Sequence, residues 1–244
     1  MARFFVPVDS WDSGELPESE ARHASQVLRM GDGDQAIVFD GTGRAAEVKL
    51  CDIRKKHAGF RVLREWQEDR PRPEIHLIVA LIKNERFDWL VQKATELGAA
   101  SVRPVAAERS VVKLAGKDAA KRRTKWEQIA VEAAKQCGHL VLPKIHEVAD
   151  PADAFRAAPA GLKAIPALHP GGRTLGELLA DPPEAVTFAI GPEGDWTEME
   201  MRSAEDGGFV PVDLGKHVLR SETAALHVLS VAGHQLHGGV GGVR

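Results

Sequence analysis

The chain has little of what announces many functions. Only two cysteines occur in 244 residues, Cys51 and Cys137. They lie far apart with neither CxxC nor histidine spacing around them, which excludes a disulfide framework and a cysteine-based zinc site as readings. The ten histidines are scattered, and His234 with His237 are too few to argue a site, so no metal is expected. No apolar run approaches the length of a bilayer span and no signal-peptide pattern follows Met1, so a cytoplasmic protein is expected, away from membranes. There is no internal repeat and no low-complexity tract, although Gly238 to Gly242 reads as a frayed tail. Phosphate-binding signatures are missing too: no Walker pattern occurs, and no GxGxxG opens a helix. Nor is there an excess of positive charge. The formal net charge is −3, so overall charge gives no support for nucleic-acid binding and only its distribution can.

What is present belongs to an ordinary globular chain, 43% hydrophobic and 27% charged, long enough for one large or two modest domains. Residues 1 to about 70 read as a strand at Arg3-Phe4-Phe5-Val6 and a helix from Glu18 to Met30. Three short β-runs follow, at 36–40, 45–51 and 59–63. Gly31-Asp32-Gly33 and Gly41-Thr42-Gly43 read as β-turns, and the whole as a small β-barrel or sandwich. The stretch Glu65 to Pro73, with Arg70-Pro71-Arg72-Pro73, reads as a proline-stiffened linker, placing domains at 1–70 and 74–244. Beyond it the pattern alternates. Strands are expected at 75–82, 102–105, 145–148, 162–168, 186–190 and 209–214. Between them run helices, one carrying Phe87, Leu90, Val91, Ala94 and Leu97 and another carrying Trp126, Ile129, Ala130, Ala133 and Cys137. Repeated βα units predict an α/β fold with a largely parallel sheet and helices on both faces.

The stretch from Val186 to His237 organises the rest. Two strands each end in a glycine-punctuated loop, Gly191-Pro192-Glu193-Gly194-Asp195 and Gly215-Lys216-His217-Val218-Leu219-Arg220, and each loop feeds a helix. Ligands bind at such strand ends in open α/β sheets. Thr197 with Glu200 is a capping-box signature, and Ser221 or Thr223 is expected to cap the last helix. Loops of Gly, Pro and backbone without a phosphate-binding lysine suit an uncharged, adenine-type ligand held by main-chain hydrogen bonds. The alternative is that Gly191 and Gly194 only permit tight turns. Arg220-Ser221-Glu222-Thr223 is the candidate for reactive chemistry: a loop arginine facing a cleft suits an anionic substrate. Glu222 in a first helical turn is equally explained by the macrodipole.

Charge is unevenly spread. Residues 101–125 hold Arg103, Arg109, Lys113, Lys117, Lys121, Arg122, Arg123 and Lys125 against Glu108 and Asp118, a local net of +6. Cations in the opening turns of a helix oppose its dipole, and a polyanion would offset that cost. A solvated helix face is the other reading.

These residues together resemble the RsmE-type enzymes, SPOUT-class methyltransferases. The likeness covers nearly the whole chain. It lies in Arg3-Phe4-Phe5-Val6, His23 with Val27-Leu28-Arg29-Met30, Phe39-Asp40-Gly41, Phe87 to Gly98, Glu108-Arg109-Ser110, Trp126 with Glu132-Ala133, and Gln136-Cys137-Gly138. Its most specific blocks are Leu168-His169-Pro170, Ile190 to Gly194, and Leu214-Gly215 with Val218 to Ala224. The resemblance implies a PUA-like RNA-binding β-barrel followed by an α/β domain with a C-terminal trefoil knot. It further implies a homodimer using S-adenosylmethionine to methylate N3 of a uridine in 16S rRNA, within the small ribosomal subunit. The cofactor candidates are then Leu168, His169, Gly191, Pro192, Glu193, Gly194, Leu214, Gly215, Leu219, Ser221, Thr223 and Ala224. Arg220 and Glu222 are the catalytic candidates, Arg220 to orient or stabilise the uracil and Glu222 as the base. RNA-facing candidates are Arg3, His23, Arg29, Arg109, Lys113, Arg122 and Arg123.

The chain departs from the family pattern at three positions: Asp195 and Asn84 stand where glycines are usual, and His139 stands where arginine is frequent. Two readings from other classes remain: a non-catalytic RNA-binding assembly factor on the same fold, and a different α/β enzyme with a nucleotide cofactor.

Overall fold

The computed structural model describes residues 1–166 and 172–238. Two compact units emerge, one of residues 1–70 with 131–142, the other of residues 71–130 with 143–244.

In the first unit, β1 (Ala2–Phe5) pairs parallel with β2 (Gln35–Phe39). Antiparallel pairs then join β2 to β3 (Arg44–Arg54) and β3 to β4 (His57–Gln67). The outer edge of β4 is covered by the segment around Gly14–Leu16: Leu16 donates to the Ala58 carbonyl (2.9 Å) and Phe60 to that of Gly14 (2.7 Å). These bonds close the edge of β4 over its first residues, 58–60. The turn after β2 is tight. Gly43 sits at φ +104, and a Cβ there would lie 2.0 Å from the Glu68 carbonyl oxygen, so only glycine fits. Asp40 locks the same turn by accepting from the Thr42 amide and hydroxyl. Alternate residues Ala36 and Val38 of β2 and Ala46, Val48 and Leu50 of β3 point into one core with Phe4, Trp11 and Phe60. The helix expected from Glu18 is shorter than predicted: α1 (Glu18–Arg22) passes into a wider turn at His23–Val27, leaving Val27 and Leu28 exposed. β4 also runs further than expected, through Gln67, which shortens the linker. The segment 131–142 supplies Ala134 and Leu140 to a small cluster with Phe39 and Ala45.

In the second unit the elements are β5 (Glu74–Ala80), α2 (Asn84–Glu96), β6 (Ser101–Val105), α3 (Gly116–Cys137), β7 (Lys144–Ile145), α4 (Pro151–Arg156), β8 (Leu162–Pro166), β9 (Arg173–Thr174), α5 (Leu175–Leu178), β10 (Ala185–Ile190), α6 (Glu198–Asp206), β11 (Val210–Asp213) and α7 (Ser221–His237). Strand order is β7-β6-β5-β10-β8-β11-β9, and every pair is parallel. The sheet is buried on both sides, and strand alternation sorts its residues. Ile75, Leu77 and Val79 join Val186, Phe188 and Ile190 under α2, α3, α5 and α7. Ile78, Ala80 and Ala189 face the other way, toward Phe155, Ala204 and Phe209 by α4 and α6. Among the strands, the two-residue β9 was not anticipated, β7 is shorter than the run expected at 145–148, and residues 167–168 of the strand expected at 162–168 lie outside the described residues. Asp88 ties α2 to α3, accepting from Trp126 Nε1 at 3.0 Å and Lys125 Nζ at 2.5 Å, while Phe87 and Trp126 stack with centroids 4.5 Å apart. Among the described residues no helix is long and apolar enough to cross a membrane, and no cluster of His, Cys, Asp or Glu could hold a metal ion.

Candidate active site

β5 and β10 lie side by side at the centre of the sheet, and the chain leaves them in opposite directions. Crevices form outside the carboxyl ends of strands at such a reversal. Here a cavity of about 440 Å³ opens at the ends of β8, β10 and β11. Its walls are the two glycine-punctuated loops. Of the cofactor candidates, Gly191, Pro192, Glu193, Leu214, Gly215, Leu219, Ser221 and Ala224 line it. Gly194 and Thr223 do not. Gly194 backs onto Arg109, whose Cβ lies 3.2 Å from where a side chain would start. Thr223 is exposed on α7, because residues 221 and 224 share a helical face that 223 cannot join. Leu168 and His169 lie outside the described residues. The sequence reading missed Pro166, Ile190, Val212, Lys216, His217 and Val218, which also contribute walls. Strand-end position was the signal that could have found the first three.

The first loop is strongly framed. The last helix has Arg220 at its cap position, with no side-chain cap, so neither Ser221 nor Thr223 acts as expected. Ser221 is the first helical residue, and its hydroxyl instead donates to the Gly191 carbonyl at 2.6 Å. Arg109 Nη1 donates to the Gly194 carbonyl at 2.9 Å. Asp195 takes the left-handed conformation at φ +59, which explains why glycine suits this position and why aspartate is among the few residues that replace it. Its Oδ1 accepts from the Trp196 amide at 2.8 Å. The Thr197–Glu200 capping box then opens α6 as predicted. Asn84 needs no glycine, being simply the first residue of α2. Among the described residues the second loop has fewer ties: Gly215, at φ +111, donates to Asp213 Oδ1 at 2.7 Å.

Glu222, second in α7, is buried, and among the described residues its Oε2 has no hydrogen-bond partner. Its Oε1 lies 3.7 Å from Arg86 Nε, whose Nη1 is 3.6 Å from Glu193 Oε1. The linear sequence gave no hint of Arg86, because it becomes a neighbour of Glu193 and Glu222 only through the sheet. Arg220 is exposed, and its side chain has no ion pair or hydrogen bond among the described residues; its carbonyl accepts from the Ala224 amide at 2.8 Å.

The basic cluster is not the free cationic face its composition suggested. Arg122 and Lys125 pair with Asp88, and Arg123 with Glu127 (3.0 Å) and Glu147 (3.1 Å). Lys113 Nζ donates to the carbonyls of Ala107 and Glu108. Lys117 and Lys121 remain exposed. Nearby, burial together with Arg103 and Lys144 drives the His146 imidazole down to about 4. Among the first unit's candidates, Arg3 is half-buried against Gly138, His23 sits edge-on to Phe4 with centroids 6.2 Å apart, and Arg29 is exposed at φ +55.

A parallel α/β sheet carrying a loop-walled cavity beside a buried carboxylate, in a chain that also has a small β-rich unit, fits one class, that of RNA methyltransferases. The family described as "RNA methyltransferase domain" matches residues 68–233, and an "RNA methyltransferase PUA domain" matches residues 16–63. Over 96% of this chain and 97% of its own length, the Ribosomal RNA small subunit methyltransferase E of Bacillus subtilis is 31% identical. The crystal structure of the Neisseria gonorrhoeae protein of that name, bound to S-adenosylmethionine, is 33% identical with a TM-score of 0.85, covering 96% of this chain and 97% of that one. A Legionella pneumophila methyltransferase, also solved with S-adenosylmethionine, is 33% identical with a TM-score of 0.86 over 95% of this chain and 96% of that one. The chain belongs to the ribosomal RNA small subunit methyltransferase E family.

Proposed function

We propose that this protein uses S-adenosylmethionine to methylate N3 of a uridine in 16S ribosomal RNA. The observation that carries the proposal is the coincidence of the cavity with the loops 191–195 and 213–219, in a chain alike over at least 95% of its length to proteins solved with that cofactor. The walls fit the group. Pro166, Ile190, Val212 and Leu219 offer apolar surface for a flat base. Among the described residues no main-chain N–H from Lys216 to Leu219 has a protein partner, which leaves these donors for ring nitrogens. Glu193 and Asp195 bring carboxylates to a ligand that carries a sulfonium cation. Bound there, S-adenosylmethionine supplies an activated methyl group.

The rest of the chemistry falls to the chain. Uracil N3 carries a proton at neutral pH, and the unpartnered Glu222 Oε2 is the acceptor for it. Arg220, exposed and free of internal ties, holds the uracil and the charge that builds on it. Ser221 keeps Gly191 and the cavity wall in place. Within this reading the protein works as a homodimer on the small ribosomal subunit, in the cytoplasm, and its second unit carries the trefoil knot. RNA contacts come from Arg3, His23 and Arg29 in the first unit. In the second they come from Arg109 and the exposed lysines of α3 more than from Arg122 and Arg123, which internal acids already engage. A non-catalytic assembly factor is the weaker reading, since it gives the buried open carboxylate beside the cavity nothing to do.

Two measurements test the proposal: calorimetric binding of S-adenosylmethionine, and transfer of its labelled methyl group to small subunits that lack the modification. Wild type binds and transfers. Arg220→Ala keeps its affinity within about threefold and loses turnover by about 100-fold. Equal losses in both would remove Arg220 from the uracil, and a wild type that binds without transferring would point to the assembly factor.

A further inference from the structure

The chain brings together one cation and two carboxylates that the sequence keeps far apart. Arg86 is the third residue of α2, where the exposed amides of the first helical turn make a positive charge unwelcome. Yet the guanidinium is two-thirds buried and stands 3.6 Å from Glu193 and 3.7 Å from Glu222. Neither distance is a hydrogen bond. The attraction is therefore one of charge, and the Glu222 oxygen paired with the guanidinium is Oε1. The other, Oε2, is buried and unpartnered, a costly state for a carboxylate oxygen unless something comes to meet it. Glu193, the third member, belongs to the cavity wall, whereas Arg86 and Glu222 do not.

We infer that Arg86 is a positioning residue for methyl transfer: it fixes the Glu222 carboxylate through Oε1 so that Oε2 faces the N3–H of the uracil, and anchors that carboxylate to the cofactor wall through Glu193. The inference rests on the uridine-methylation reading. It follows that what matters at position 86 is the charge, because no paired hydrogen bonds of the kind only arginine makes are present. A lysine should serve nearly as well.

The test is a double-mutant cycle on full-length protein, with Arg86→Gln, Arg86→Lys, Glu222→Gln and Arg86→Gln/Glu222→Gln. Cofactor affinity is read by calorimetry, folding by thermal melting, and turnover on small subunits as kcat and KM separately. Arg86→Gln should lower kcat by about 100-fold, the scale of a misplaced reacting group, with the affinity for S-adenosylmethionine and KM nearly unchanged. The melting temperature falls, since a buried carboxylate loses a nearby cation, but the protein stays folded at the assay temperature. Arg86→Lys should restore most of the loss. In the Glu222→Gln background the arginine should no longer count, so adding Arg86→Gln should cost less than about threefold. Losses that multiply would overturn the inference, since Arg86 would then act on the substrate itself. So would a rise in KM alone, which marks an RNA contact, or a matching fall in cofactor affinity. A wild type that transfers no methyl group would overturn the functional reading and this inference together, whereas an active wild type with multiplying losses would overturn the inference alone.

Discussion

Glu20 in the first unit and Glu222 in the second make an instructive pair. Both are buried in the opening turn of a helix, and both leave Oε2 without a hydrogen bond. They differ in what the other oxygen meets. Lys135 Nζ donates to Glu20 Oε1 at 2.9 Å, and both side chains are less than a tenth exposed. Burial pushes the Glu20 carboxyl up against the pull of Lys135. Burial also pulls the Lys135 ammonium down, but its bonds to Glu20 and Glu132 outweigh that and raise it. That pair is closed on itself. Among the described residues the nearest cation to Glu222, at 3.7 Å, is too far for a hydrogen bond, and it is shared with a residue that lines a cavity. A buried carboxylate satisfied by a contact ion pair serves the fold, whereas one held loosely beside a cavity is kept available for chemistry.

The sharpest way to break this comparison is to neutralise each partner set and ask which property fails. Glu222→Gln should reduce kcat by about 10²–10⁴-fold, the range for losing a general base, with only a small change in melting temperature. If turnover survived, Glu222 would be a second structural glutamate. Lys135→Met should do the opposite. Stranding Glu20 as an unpaired buried charge costs about 3–5 kcal/mol, read by chemical denaturation, while the affinity for S-adenosylmethionine stays the same. The double replacement Glu20→Leu/Lys135→Met should recover much of that loss, because a well-packed apolar pair replaces a buried ion pair at little cost.

These two roles were unequally legible in the sequence. Glu222 stood out because it follows a strand-end loop, and the loop pair itself could be read from glycine spacing after two apolar strands. The apolar runs that became β5 and β10, with the repeated βα units, forecast a parallel sheet covered on both faces, and Thr197 with Glu200 forecast the start of α6. Three things were hidden for one reason: they depend on side chains that meet only across the sheet or between helices. Arg86 reaches Glu193 and Glu222 across the strand ends. Asp88 and Glu147 help neutralise a cluster that looked cationic in the linear count. Ser221 looked like a cap but bonds to a carbonyl thirty residues earlier.

Smaller effects refine the picture. Ser221→Ala leaves the Gly191 carbonyl without its hydroxyl donor, costing about 1–3 kcal/mol if no water replaces it. That should appear as roughly tenfold or more in cofactor affinity, and a loss confined to kcat would detach Ser221 from the cavity wall. The smallest effect is a pH dependence away from the site. His146 titrates near 6.5 when unfolded and at about 4 when folded. The unfolded chain therefore binds the extra proton first, and the stability present above pH 6.5 declines as pH falls toward 4. Denaturation midpoints measured from pH 7 to pH 5 should decline less in His146→Leu than in wild type. Parallel curves would contradict the assignment.

The most direct test of the account is nucleoside mass spectrometry on small ribosomal subunits lacking the modification, after incubation with the protein and S-adenosylmethionine. The account predicts that 3-methyluridine appears with wild type and is nearly absent with Glu222→Gln. A different methylated nucleoside, or 3-methyluridine formed equally by both proteins, would contradict it.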